Sequence, residues 1–159
     1  MVPRAGQPAQ DRRTRFEGGS SPYEGTARMT ARKIQGFRVL IVDDEPLIRW
    51  SLAEGLGREG YVVFEAGDRQ SALSYFGGGA EAVDLVLLDL RLPDSTDLGL
   101  LEHIKELAPA CQVILITAHG SPELVREARD KGAFRVMGKP FDIDEVIGFV
   151  GQALAARPS

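Results

Sequence analysis

The chain has 159 residues, of which 43% are hydrophobic and 26% are charged, a balance typical of one globular domain. A single cysteine, Cys111, excludes an internal disulfide framework and a clustered-thiolate metal site. No apolar run approaches the roughly 18 residues that span a membrane, and the amino terminus lacks the apolar core of a secretory signal. We therefore expect a cytoplasmic protein without membrane insertion.

Residues 1–36 differ in charge from the rest of the chain. They hold seven Lys/Arg against three Asp/Glu, a net charge of +4, whereas residues 37–159 hold 12 against 20, a net charge of −8. The first segment is rich in polar, Gly and Pro residues without apolar periodicity, which predicts a disordered basic extension; Met29 is an alternative start. Because phosphate contacts need a basic face, the acidic remainder argues against nucleic acid as its main ligand.

From Phe37 onward, short apolar runs alternate with amphipathic segments. Runs of about five apolar residues bounded by polar or turn residues predict strands that are buried on both faces. Five such runs occur in chain order: Val39–Val42, Tyr61–Phe64, Leu85–Leu88, Val113–Ile116 and Phe134–Met137.

The segments after these strands carry helix start and stop signals. The first predicted helix begins at Pro46 and ends near Gly60, and the second begins after Asp68 and ends at Gly77–Gly79. The third covers Leu98–Leu107. The fourth begins at Ser121-Pro122 and ends at Gly132, and the fifth begins at Asp142. Five strands alternating with five helices through short loops predict a doubly wound parallel α/β sheet. We expect one domain over residues 37–156.

Polar side chains follow several of these apolar runs, at the point where each strand ends. They are Asp43, Asp44 and Glu45 after the first strand, Asp89 after the third, Thr117 after the fourth and Lys139 after the fifth. Ligands of open parallel sheets bind outside the carboxyl ends of the strands. We therefore expect these side chains to converge in one shallow cleft.

This set of side chains suits phosphoryl transfer. The clustered carboxylates of Asp43, Asp44 and Asp89 are hard oxygen ligands that suit Mg²⁺, which keeps several waters and so leaves the site open. The Lys139 ammonium and the Thr117 hydroxyl would stabilise phosphoryl oxygens. Since the sequence has no Gly-rich phosphate loop, the nucleophile would be a carboxylate.

Four segments, in this order, resemble the receiver domain of two-component response regulators: VLIVDDEP, VDLVLLDLRLPD, VILITAHG and GAFRVMGKPF. The resemblance extends over about Phe37 to Leu154. It implies a flavodoxin-like sheet of five strands flanked by five helices. It also implies a phosphorelay in which a partner histidine kinase phosphorylates one aspartate.

The resemblance assigns roles to the strand-end residues. Asp89 is the phosphoacceptor, Thr117 is the switch hydroxyl, and Lys139 is the lysine that precedes a proline, Pro140, in a bond that is commonly cis. Such a domain is not a conventional enzyme, although it assists its own phosphorylation and dephosphorylation.

The resemblance also implies a metal site and partners. Asp44 and Asp89 would ligate Mg²⁺ together with the backbone carbonyl of Arg91, and Asp43 would act largely through water. The implied partners are a sensor histidine kinase or a histidine phosphotransfer protein, a downstream protein effector, and a second copy in a phosphorylation-dependent dimer.

Three features depart from the commonest pattern of this family. Val136 stands where many receivers have Tyr or Phe as the partner of the switch threonine. The loop Asp94–Leu98 is one residue longer than usual and lacks its glycine. Arg91 and His119 occupy positions that tune the lifetime of the acyl phosphate in the family, so we expect a lifetime different from that of regulators with small residues there.

Two other functions fit parts of the pattern. An aspartate-nucleophile phosphatase needs a second acid two residues after the nucleophile, where this chain has Arg91. A degenerate receiver that only binds partners is disfavoured by the joint presence of the site residues, although Val136 keeps it open. The sequence looks most like receivers of activators that carry an ATPase module and a DNA-binding helix-turn-helix. Because those modules are absent here, we expect a stand-alone receiver or a fragment of a larger regulator.

Overall fold

The computed structural model describes residues 36–77 and 82–157. Within these ranges, strands and helices alternate in the order β1 (Arg38–Val42), α1 (Pro46–Arg58), β2 (Val62–Ala66), α2 (Arg69–Leu73), β3 (Leu85–Asp89), α3 (Gly99–Leu107), β4 (Gln112–Thr117), α4 (Pro122–Asp130), β5 (Arg135–Gly138) and α5 (Ile143–Ala155). The expected extension before Gly36, the alternative start at Met29 and the Gly78–Gly79 end of the second predicted helix lie outside the described residues.

The five strands form one parallel sheet in the order β2-β1-β3-β4-β5. This order confirms the predicted flavodoxin-like fold. The chain winds outward from β1 to β2 and then returns to the other side of β1 to form β3. The carboxyl ends of β1 and β3 are therefore neighbours at the point where the winding direction changes, which is where such folds bind ligands.

Both faces of the sheet are buried. On one face, α1 and α5 pack against the sheet through apolar residues that include Leu52, Leu56 and Val146. On the other face, α2, α3 and α4 pack through residues that include Leu101 and Ile104. Each fully buried Leu or Ile side chain contributes about 1.5–3 kcal/mol relative to exposure, so the two apolar layers hold the strand ends in place.

The observed elements differ from the predicted ones mainly at their ends. Helix α2 ends at Leu73, because the next backbone N–H groups bond three residues back, with Tyr75 donating to Ala72 at 3.1 Å. At their carboxyl ends, strands β3 and β4 each extend by one residue, to Asp89 and Thr117. Two predicted site residues are thus the last members of buried strands. None of the helices in the described part of the chain has the length and apolarity needed to cross a membrane.

Candidate functional site

The acidic segment after β1 is held by backbone hydrogen bonds. The Asp43 N–H donates to the Ala66 carbonyl at 3.0 Å, which continues the pairing with β2. The Asp43 carboxylate is buried and accepts the Glu45 N–H at 2.8 Å. Asp44 and Glu45 are exposed. One carboxylate is therefore fixed inside the edge of the sheet and two face solvent.

Asp89 ends β3, directly beside β1, and is 5% exposed. Its Oδ1 accepts the Arg91 N–H at 3.1 Å, and its Oδ2 lies 3.2 Å from Lys139 Nζ. Burial raises the pKa of Asp89, and the charge of Asp43 raises it further. The Arg91 N–H and Lys139 act in the opposite direction without cancelling the increase in pKa. The carboxylate is therefore desolvated and placed beside a like charge.

Lys139 is the shared cation of this edge. Its Nζ lies 3.2 Å from Asp43, 3.1 Å from Glu45 and 3.2 Å from Asp89. Burial by itself lowers the pKa of Lys139, but the hydrogen bonds and charges of the three carboxylates outweigh burial and raise it above its ordinary value. The amine is therefore positively charged at neutral pH.

Thr117 ends β4 and is also buried. Its Oγ1 accepts the His119 N–H at 3.2 Å, and its carbonyl accepts the Lys139 N–H at 2.9 Å. The Lys139–Pro140 peptide bond is cis, as the resemblance implies. The threonine and the lysine are thus connected through the backbone, while the threonine hydroxyl oxygen accepts a hydrogen bond from the loop that follows β4.

The carboxylates meet the requirements of a magnesium site. One carboxylate oxygen from each of Asp43, Asp44, Glu45 and Asp89 lies within 4.8 Å of the others. All four are hard oxygen donors, and two of them face solvent, which suits an ion that keeps several waters. The residues present therefore fit Mg²⁺.

The residues that depart from the common pattern lie around this cluster. His119 is exposed in the loop after β4, and Val136 is half-buried against the core. The longer loop is closed by the Leu92 N–H, which donates to the Ser95 carbonyl at 2.8 Å. The Asp94 carboxylate accepts the Arg69 N–H at 2.7 Å, so this loop is attached to the start of α2.

The sequence-based interpretation assigned no role to two residues of the site. Glu45 is expected in the cleft without an assigned partner, and in the structure it pairs with Lys139. Arg49 donates from Nη1 to the Asp43 carbonyl at 2.6 Å and pairs with Glu65 at 3.3 Å. The only sequence signals were a glutamate before a first-turn proline and an arginine four residues later, one turn into the helix.

The chain is similar to known proteins over most of its described length. Residues 39–150 match the family model described as response regulator receiver domain. DNA-binding transcriptional regulator NtrC of Proteus hauseri is 40% identical over 124 residues, which are 76% of this chain and 25% of that protein. Sporulation initiation phosphotransferase F of Bacillus subtilis strain 168 is 38% identical over 109 residues, which are 69% of this chain and 86% of that protein.

A solved structure gives the same result. In the crystal structure of the CheX-CheY-BeF3-Mg²⁺ complex from Borrelia burgdorferi, the matching chain has a TM-score of 0.71 and 29% identity. The match covers 77% of this chain and 96% of that chain. The chain spans about a quarter of the length of NtrC and most of the length of phosphotransferase F.

Proposed function

The chain belongs to the response regulator receiver domain family, and we propose that it is a signalling switch whose Asp89 accepts a phosphoryl group from a phosphohistidine. The donor is a sensor histidine kinase or a histidine phosphotransfer protein. The strongest support is the contact of Lys139 Nζ with Asp89 at 3.2 Å, at a buried strand end beside Asp43. A similar protein, sporulation initiation phosphotransferase F, is by its name a phosphotransferase.

The transfer needs one nucleophile and one fixed cation. An Asp89 carboxylate oxygen forms a bond to phosphorus while the bond between phosphorus and the imidazole nitrogen of the donor breaks. The imidazole leaves with that electron pair, and the product is an aspartyl phosphate. Lys139, held as an ammonium, binds the oxygens of the transferring group, where negative charge accumulates in the transition state. Arg91 orients the nucleophile through the N–H that binds Asp89 Oδ1.

Four groups would hold Mg²⁺: the carboxylates of Asp44 and Asp89, the backbone carbonyl of Arg91, and Asp43 through water. Mg²⁺, when bound, neutralises negative charge on the phosphoryl oxygens. The fit of the carboxylate cluster supports this assignment, as does the similar complex from Borrelia burgdorferi, which includes Mg²⁺. Since the acceptor carboxylate is itself modified, the domain is not a conventional enzyme.

Phosphorylation would switch the surface formed by α4, β5 and α5. A phosphoryl group adds about two negative charges at neutral pH. Thr117 would leave the His119 N–H to donate to the new oxygens, and its backbone bond to Lys139 connects this movement to the end of β5. This surface would bind a downstream protein effector or a second copy in a phosphorylation-dependent dimer. We propose that the switch acts in the cytoplasm.

The phosphohistidine protein would dock beside the site. Helix α1 begins at the acidic segment and exposes two large apolar side chains, Leu47 at 80% and Trp50 at 61%. They lie three residues apart and therefore on one face of the helix. A helical bundle that carries the phosphohistidine would cover them while its imidazole reaches Asp89.

The test is phosphorylation by acetyl phosphate with Mg²⁺, followed by intact mass measurement. We expect one acid-stable, base-labile phosphate that is absent in Asp89→Asn and present in the matched variant Asp130→Asn, whose exposed carboxylate lies at the far end of α4. A wild-type protein that binds Mg²⁺ but takes no phosphate would instead be a binding module. Steady turnover of phosphate esters would make it a phosphatase.

A further inference from the structure

Glu45 departs from the capping rule that three of the other described helices follow. N-cap positions favour Ser, Thr, Asp and Asn because short side chains reach the free N–H groups of the first turn. Asp68, Ser121 and Asp142 cap α2, α4 and α5 in this way. Glu45 is the N-cap of α1, yet its side chain accepts no hydrogen bond from that turn, which the structure describes in full. Its Oε1 instead contacts Lys139 Nζ at 3.1 Å, 94 residues away.

The three carboxylates around Lys139 differ in their access to water. The side chains of Asp43 and Asp89 are 3% and 6% exposed, whereas that of Glu45 is 57% exposed. Moving either buried carboxylate off the ammonium would leave a desolvated charge without a cation. Glu45 can rotate into solvent and regain its hydration. Of the three partners, Glu45 is the one that Lys139 can release.

We propose that Glu45 is a displaceable partner of Lys139, which it occupies in the unphosphorylated protein and leaves when a phosphoryl group on Asp89 takes its place. This inference rests on the proposed function. The phosphoryl group adds about two negative charges, and Glu45 has a carboxylate oxygen within 4.8 Å of one from Asp89. Repulsion drives Glu45 outward while Lys139 turns to the new oxygens. Glu45 is a positioning residue that acts through Lys139 and opposes phosphorylation until it is displaced.

The variant Glu45→Gln tests this role, because it removes the charge and keeps the size of the side chain. We expect phosphorylation by acetyl phosphate, at saturating Mg²⁺, to become about three- to tenfold faster, as expected for one like charge removed roughly 5 Å from the reacting group. The NMR signal of the Lys139 ε-methylene, recorded without metal or phosphodonor, should shift. The matched variant Glu106→Gln removes an exposed charge at the end of α3, at the opposite edge of the sheet, and should change neither quantity.

The variant Glu45→Asp separates the contact from the charge. The shorter carboxylate reaches the first turn of α1 and no longer reaches Lys139, so we expect a higher melting temperature from the restored cap. The Lys139 signal should shift as in Glu45→Gln, since the contact is lost in both variants. The increase in phosphorylation rate should be smaller than in Glu45→Gln, because the negative charge is retained beside Asp89, which the phosphodonor must approach.

Two results would overturn the inference while the proposed function stands. One is a Glu45→Gln variant whose phosphorylation rate and Lys139 signal equal those of the wild type. The other is a Glu45→Gln variant that binds Mg²⁺ more than about tenfold more weakly than the wild type, which would make Glu45 a metal ligand instead. The fluorescence of the single tryptophan, Trp50, measures this affinity. If the wild-type protein takes no phosphate on Asp89, the proposed function fails and this inference fails with it.

Discussion

Strand β3 has one aspartate at each end, and the two aspartates have opposite surroundings. Asp84 precedes the strand, at the amino edge of the sheet where helices lead into strands, and Asp89 ends it, at the carboxyl edge where strands lead into helices. Asp84 accepts the Arg38 N–H at 2.7 Å on one oxygen and Arg157 Nη1 on the other. Asp89 shares a single lysine with Asp43 and Glu45. The same residue type is neutralised locally at one edge and left in an excess of negative charge at the other.

The backbone shows the same contrast. Within residues 36–77 and 82–157, every residue with a positive φ angle is a glycine at the amino edge: Gly36, Gly60, Gly77 and Gly132. These glycines end helices or turn the chain into strands, as the left-handed conformation allows. The loops of the carboxyl edge use ordinary φ angles and carry the polar side chains. Positive φ angles are thus confined to the amino edge of the described residues, and the unbalanced charge, available to a cation or a phosphoryl group, lies at the carboxyl edge.

We expect the largest effect on the free energy of unfolding from a substitution of Asp84, at the amino edge. Asp84→Ala removes the partner of Arg157 and leaves the partly buried Arg38 N–H without this acceptor, so we expect a loss of about 2–3 kcal/mol in the free energy of unfolding. Urea denaturation measures it. The rate at which acetyl phosphate phosphorylates the folded variant should equal that of the wild type, because the Asp84 carboxylate contacts none of the site residues. A folded variant with normal stability but slow phosphorylation would contradict the separation of the two edges.

Magnesium should act on the carboxyl edge alone. At a concentration ten times its dissociation constant, a ligand of the folded state adds about 1.4 kcal/mol to the free energy of unfolding. We expect this gain for the wild type and for Asp84→Ala, measured as a rise in melting temperature. In Asp44→Asn the gain should be much smaller, while the metal-free variant should be slightly more stable than the wild type. An equal gain in Asp44→Asn would show that the ion binds elsewhere.

Asp89→Asn should stabilise the metal-free protein, in contrast to the loss expected at Asp84. The pKa of Asp89 is raised by burial and by Asp43, so its ionisation costs more in the folded than in the unfolded state. That cost is complete above the folded pKa and disappears as the pH falls below the unfolded one. We expect Asn to raise the free energy of unfolding by about 1 kcal/mol at neutral pH, as for one relieved like-charge contact. The difference should vanish as the pH falls to about 3, below the ordinary pKa of an aspartate; a constant difference would contradict it.

The sequence predicts the fold and most of the site because both depend on local patterns. The apolar runs specify five strands, and the rule that parallel strand ends share an edge places Asp43, Asp89 and Lys139 together. The pairing of Glu45 with Lys139 was not predictable, because Glu45 is the N-cap of α1 and the pairing opposes the local capping preference. The start of α2 after Asp68 was predicted, but its early end at Leu73 was not. The residues that follow have ordinary helix signals, and the change to tighter hydrogen bonds depends on how Tyr75 and Phe76 pack against the sheet.

The smallest expected contrast comes from two glycines, one at each edge. Gly132 follows α4 with φ of 106°, and an added Cβ would lie 3.0 Å from the Lys105 side chain, so Gly132→Ala should cost about 1 kcal/mol through backbone strain. Gly120, between β4 and α4, has an ordinary φ angle, and its added Cβ would lie 3.5 Å from the Thr117 methyl group, a normal contact. Gly120→Ala should therefore raise the free energy of unfolding by a few tenths of a kcal/mol, since alanine restricts the unfolded chain. Equal losses in both variants, measured by urea denaturation, would mean that the carboxyl edge is as constrained as the amino edge.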